Sequence, residues 1–98
     1  MSLHVVIREP GPRWDPGRGM REQDGWDDHA TFMDALAAER FVVLGGPIGD
    51  GERRFLLVVD AEDEAAIAAR LDEDPWMPNG MLRIVEIQPW TLLLGQAP

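Results

Sequence analysis

The side chains able to do chemistry in this sequence are few, and their types decide which chemistry is open to it. There is no cysteine, tyrosine or lysine, Ser2 is the only serine, and Thr31 and Thr91 are the only threonines. Thiol, Schiff-base and serine nucleophiles are therefore nearly excluded. What remains is His4, His29, the carboxylates and nine basic side chains, all of them arginine, a set suited to acid–base work. His29 is the most informative member. It shares helical spacing with Phe32, Met33, Leu36 and Ala37, which places a titratable imidazole on the stripe that faces the core. There it serves either as a general base or as a core histidine satisfied by a backbone carbonyl, and periodicity does not separate the two. Asp74 is the candidate partner, held extended by Pro75 after a helix and followed by Trp76. Its alternative role is a solvated helix stop.

The elements that position these groups follow from hydrophobic pattern and turn chemistry. Leu3–Arg8 alternates as a strand, with Leu3, Val5 and Ile7 on one face and His4, Val6 and Arg8 on the other. Residues 9–25 hold three prolines and four glycines among charged residues, a composition that cannot continue a ladder and reads as one long loop, either a lid or disordered. Trp26–Arg40 is the first helix, with Asp24, Asp27 and Asp28 at its start to oppose the positive dipole end. Phe41–Leu44 is a strand stopped by Gly45, Gly46 and Pro47, and a turn-rich segment leads to a third strand over Arg53–Val59. Asp60 is placed to cap a second helix whose seam is Ile67 and Leu71 and which ends near Asp72. Leu82–Gln88 alternates as a fourth strand, and Trp90–Leu94 is a further apolar extended run.

The order β α β β α β predicts an α+β, ferredoxin-like antiparallel sheet with both helices on one face. In this fold the start of one helix and the end of the other can be neighbours, which allows His29 and Asp74 to meet. The remaining sheet face has no cover within the chain. Val6, Val42 or Val43, and the Trp90–Leu94 run are assigned to it, and a homodimer with sheets face to face is expected. The 98 residues fit a single domain, residues 1–98.

The segments GWDDHATFMDAL, FVVLGGPIGDG, LDEDPW and PWTLLLG, taken together with their order and spacing, resemble the YCII-related (YciI-like) proteins of the dimeric α+β barrel superfamily. The resemblance covers almost the whole chain. It implies a ferredoxin-like protomer, a dimer, and an acid–base pair that carries over onto His29 and Asp74. The wider superfamily includes monooxygenases, isomerases, lyases and dechlorinating enzymes, so the resemblance does not fix a reaction. The Pro/Gly-rich loop is a departure, since the shortest members lack it.

Charge narrows the partners. Eighteen acidic against nine basic side chains give a formal charge of −9, which repels nucleic acid and anionic membrane surfaces. The first 21 residues are the exception, with Arg8, Arg13, Arg18 and Arg21 against Glu9 and Asp15. Arg13, Arg18 and Arg21 can close over a small carboxylate while Trp14 stacks on its apolar part; the alternative is a solvated loop paired with the acidic surface. Trp26, Trp76 and Trp90 read as core and pocket walls, with Trp76 a candidate substrate contact. No metal is expected, because two histidines on separate elements and scattered carboxylates give no ligand spacing. No cofactor is expected either: Gly45, Gly46, Gly49 and Gly51 join two strands rather than open a helix, and no lysine follows. No transmembrane stretch or signal peptide is evident, and a cytoplasmic protein is expected. Two functions remain open. One is a small cofactor-free enzyme of lyase or isomerase type acting on a small anionic or aromatic molecule, and the other is a non-catalytic dimeric module that binds a small molecule or a partner.

Overall fold

The computed structural model describes residues 2–95. Six principal elements follow one another: β1 (Leu3–Pro10), α1 (Trp26–Ala38), β2 (Val42–Pro47), β3 (Phe55–Asp60), α2 (Glu64–Leu71) and β4 (Leu82–Pro89). The strands form one sheet in the order β2-β3-β1-β4, and each neighbouring pair is antiparallel. This is the ferredoxin-like α+β arrangement. Leu36 of α1 and Ile67 and Leu71 of α2 join Val6, Val42, Leu57 and Val59 of the sheet in a single core cluster. Both helices therefore lie on the same sheet face.

Strand alternation sorts the rest. Val6, Leu57 and Val59 face the helices, so Leu3, Val5 and Ile7 of β1 and Leu56 and Val58 of β3 face the other way. This corrects the assignment of Val6 and Val42 to the open face, since both are buried in the helix-covered core. His4 and Arg8 share that side with Val6, so neither reaches the open face. There Glu9 lies between Arg54 and Arg83, at 3.4 and 3.5 Å. Leu44, Val85 and Trp90 remain exposed.

Several boundaries differ from the sequence reading, each for a local reason. β2 does not stop at Gly45; Gly45, Gly46 and Pro47 pair with Leu57, Leu56 and Phe55. A Cβ at Gly45 would stand 2.7 Å from the Leu57 side chain, and Pro47 is tolerated because β2 is an edge strand. The cap of α2 is Asp63, which accepts from the Ala66 N–H at 2.8 Å, whereas Asp60 accepts from the Ser2 N–H. In β4 the register slips beside Ile7 and Arg8, so strict alternation fails and Ile84 and Ile87, three apart, both pack against the core. Trp90 extends the sheet edge by one hydrogen bond to Leu3, and no strand follows it among the described residues.

The segment after β1 is tied down at several points. β1 itself runs on to Pro10, and Met20–Glu22 forms a turn of 3-10 helix. The Gln23 amide is buried and holds Asp15 N–H, Asp15 C=O and Arg18 C=O at 2.9, 2.7 and 3.0 Å. Gly11 N–H bonds Met81 C=O, and a Cβ at Gly11 would collide with Gly80 C=O. Trp14 is thereby seated in a second cluster with Phe55, Trp76, Met81 and Leu82. Among the described residues no helix is long and apolar enough to cross a membrane.

Candidate active site

His29 enters the site from the first turn of α1. That helix begins at Gly25, whose φ of 80° favours glycine, and the His29 N–H bonds the Gly25 carbonyl. No side chain caps the start; Asp27 and Asp28 oppose the dipole from the first turn instead. Asp74 follows α2, just past the helix stop at Asp72. Its Oδ1 accepts from the Trp76 N–H at 2.9 Å, an Asx turn closed around Pro75. Asp74 is fully buried.

The two side chains meet. His29 Nδ1 lies 2.9 and 2.8 Å from Asp74 Oδ1 and Oδ2, and Arg8 Nη1 of β1 donates to Oδ2 at 2.9 Å. An ionised carboxylate only accepts, so with Arg8 and Trp76 donating to it, His29 Nδ1 must carry its hydrogen toward Asp74. Nε2 then holds the lone pair of the neutral ring, and it makes no hydrogen bond to the described residues. Trp76 stacks on the imidazole, ring centroids 3.9 Å apart and planes 11° apart, with its own Nε1–H fixed on Asp24 C=O at 2.8 Å. Ring orientation is therefore set from two sides, by a carboxylate at the edge and an indole at the face.

Electrostatics keep this arrangement charged. Burial pushes the Asp74 carboxyl up, but hydrogen bonds from His29 and Trp76, the charge His29 carries when protonated and the charge of Arg8 outweigh it and hold the carboxyl below its ordinary range. Burial pulls Arg8 below its ordinary value, against the opposing pull of Asp74, and a guanidinium stays protonated throughout. Asp74 contributes stability that is fully present above the ordinary carboxylate value of about 3.9, and that contribution is lost as pH falls through the lowered value of the folded state. The stability gap between wild type and Asp74→Asn, read from urea unfolding, is expected to hold steady from about pH 6 to about pH 5 and to narrow as pH falls below about 4. A constant gap would show that Asp74 does not titrate in that window.

Arg8, His29 and Trp76 line a cleft of about 290 Å³, and the buried Asp74 is not part of its wall. Most of its wall is apolar, with Met20, Trp26, Met33, Phe55, Leu57 and Trp76 contributing, while Arg8, His29 and Asp34 are its ionisable side chains. Of the residues singled out in the sequence, His29, Asp74 and Trp76 converge. Trp14 packs behind Trp76, ring centroids 5.6 Å apart, and does not line the cleft. Arg13, Arg18 and Arg21 do not line it either. Arg13 lies beside Gly80, Arg18 pairs with Asp15 and Asp24 at 3.4 and 3.6 Å, and the Arg21 guanidinium stands 5.9 Å over Trp26. Sequence reasoning missed Arg8. The signal was present, since alternation placed an arginine on the same strand face as the core residue Val6, and a buried charge requires a partner.

The sequence profile of the YCII-related domain matches residues 3–91. This chain belongs to the YCII-related family. No protein of curated description matches it significantly. Among solved structures, the YCII-related chain is similar to 5-chloro-2-hydroxyhydroquinone dehydrochlorinase (TftG) from Burkholderia phenoliruptrix AC1100, in complex with 2,5-dihydroxybenzoquinone. The TM-score is 0.66 and the identity 19%, over 91% of this chain and 93% of that one. At that identity the likeness shows the fold shared by this YCII-related protein and the dehydrochlorinase.

Proposed function

We propose that this YCII-related protein is a small enzyme of lyase or isomerase type in which His29 moves a proton on a small, planar organic substrate bound in the cleft. The observation that carries the reading is the 2.8 Å contact of Nδ1 with Asp74: an Nδ1–H directed at that carboxylate leaves Nε2 as the proton acceptor in a mostly apolar cleft. Nε2 takes a proton from a C–H or O–H acid, giving an imidazolium and a substrate anion. Asp74 stabilises that imidazolium through the hydrogen bond already in place. The anion then either recovers the proton at another atom, an isomerisation, or expels a leaving group that departs with the bonding electron pair, an elimination, after which the imidazolium returns its proton to solvent. The fold-relative that acts on a chlorinated hydroxyhydroquinone makes chlorinated hydroquinones a sensible first panel. The test is to supply these and enolisable aromatic ketones to wild type, reading halide release and deuterium uptake from D2O by NMR. Turnover of any member supports proton shuttling; binding without turnover across the panel favours a non-catalytic binding module.

A homodimer through the open sheet face belongs to the same reading. Support comes from the exposed side chains of Leu44, Val85 and Trp90 and from the half-buried Val5 and Leu56 of the open face, apolar surface that a second copy would cover. Sedimentation equilibrium is expected to give twice the 11.0 kDa chain mass, and Leu56→Glu to shift it toward one chain. A monomeric wild type would remove the dimer.

A further inference from the structure

Arg8 holds more hydrogen-bonding capacity than the fold uses. A guanidinium carries five N–H donors. One nitrogen, Nη1, meets an oxygen, that of Asp74. Nη2 faces the sulfur of Met33 at 3.4 Å, a weak acceptor, and Nε is buried with no partner at all. The side chain is 3% exposed, so bulk water does not satisfy what remains. Buried charged donors are seldom left unmet in native proteins, and an unmet one is a candidate contact for a bound group. Arg8 also lines the same cleft as His29, on β1 between the two segments that carry His29 and Asp74.

Charge balance points the same way. Arg8 and Asp74 cancel one another, so a neutral His29 leaves the cluster neutral. A proton gained by Nε2 then adds a positive charge to this cluster in a mostly apolar cleft, where the exposed Asp34 is the one other acid on the wall, and an anion brought by the substrate offsets that charge. A substrate that carries or develops an anionic oxygen provides that anion, and the open N–H groups of Arg8 provide its seat. We propose that Arg8 is a substrate-positioning residue that holds an anionic oxygen, so that the substrate class is a planar apolar body bearing a carboxylate, phenolate or enolate. The guanidinium fork suits such an oxygen, since charge-assisted hydrogen bonds to carboxylate-like groups are the stronger kind. The aromatic walls at Phe55 and Trp76 receive the body of the molecule. Arg8 takes the role that the loop arginines Arg13, Arg18 and Arg21 do not have the position to fill.

This inference deepens the acid–base reading and rests on it for the site, but its test reads binding, so the two fail separately. Trp26 and Trp76 line the cleft and report occupancy by fluorescence. Benzoate and its neutral counterpart benzamide are titrated at neutral pH against wild type, Arg8→Lys, Arg8→Met and His29→Asn. Wild type is expected to prefer benzoate by about ten-fold, the equivalent of about 1.4 kcal/mol. Arg8→Met is expected to lose the preference while still binding benzamide, Arg8→Lys to keep part of it, and His29→Asn to keep it. A wild type that binds no benzoate or shows no preference overturns the proposal. So does an Arg8→Met variant that retains the preference, or one that loses both probes with no recovery in Arg8→Lys, which would mark Arg8 as purely structural.

Discussion

Turnover is expected to fall by about 10²–10⁴-fold when His29 is replaced by asparagine, the range that a single general acid–base group supplies. Asparagine is the informative replacement because its amide still donates to Asp74 and fills much of the same space, so the carboxylate keeps a partner. The Trp76 ring loses its stacked neighbour at 3.9 Å, which costs about 0.5–1.5 kcal/mol and leaves the domain folded. Near-UV circular dichroism, sensitive to the packing of Trp14, Trp26 and Trp76, checks that point independently. The expected pattern is a fall in kcat with a smaller change in KM, because the proposed role of Nε2 is on the reacting proton rather than on the body of the substrate. A variant that keeps turnover within a few-fold of wild type would make His29 a core residue and no more.

The largest stability effect is expected at Asp74. Asp74→Ala leaves the Arg8 guanidinium buried without its one oxygen acceptor among the described residues and removes the acceptor of His29 Nδ1–H and of the Trp76 N–H. Breaking one partner of a buried ion pair costs about 3–5 kcal/mol, a large part of the 5–15 kcal/mol that holds a small domain together. Each kcal/mol moves the Tm of a domain this size by about 4–8 °C, so thermal melts resolve the effect readily. The double variant Arg8→Met, Asp74→Leu separates charge from packing. It removes both ions together and is expected to recover much of the loss, since an apolar pair of similar volume replaces a buried ion pair at little cost. If Asp74→Ala melts as wild type does, Arg8 and Asp74 are not coupled in the folded protein. If the double variant is no better than the single one, the damage is a cavity and not an unpaired charge.

The strand and helix order was legible because hydrophobic period distinguishes two from 3.6 even in so short a chain, and the helical spacing of His29, Phe32, Met33, Leu36 and Ala37 was enough to turn the imidazole inward. The meeting of His29 with Asp74 was legible only through the fold, because nothing local to either residue selects the other. Register was not legible. The slip in β4 beside Ile7 and Arg8 and the pairing of Gly45–Pro47 with Leu57–Phe55 depend on which backbone groups meet across the sheet, information that alternation within one strand lacks. Arg8 was missed for a related reason. Its face was read correctly, but that face was assigned to the dimer side, where an arginine needs no explanation; under the helices it needs Asp74. The loop arginines were attractive for their local positive charge, yet charge counted along a chain says nothing about which way a side chain points once Gln23 and Trp14 have anchored the loop.

The proton on the His29 ring is the most direct point of test. Long-range ¹H–¹⁵N NMR on uniformly ¹⁵N-labelled protein, at a pH where the ring is neutral, distinguishes the two imidazole tautomers by the nitrogen that bears hydrogen. The expected result is a protonated Nδ1 and a bare Nε2, with Asp74→Asn shifting the Nδ1 resonance. A ring that carries its hydrogen on Nε2 would contradict the assignment of that nitrogen as the base and of Asp74 as the group that keeps it free.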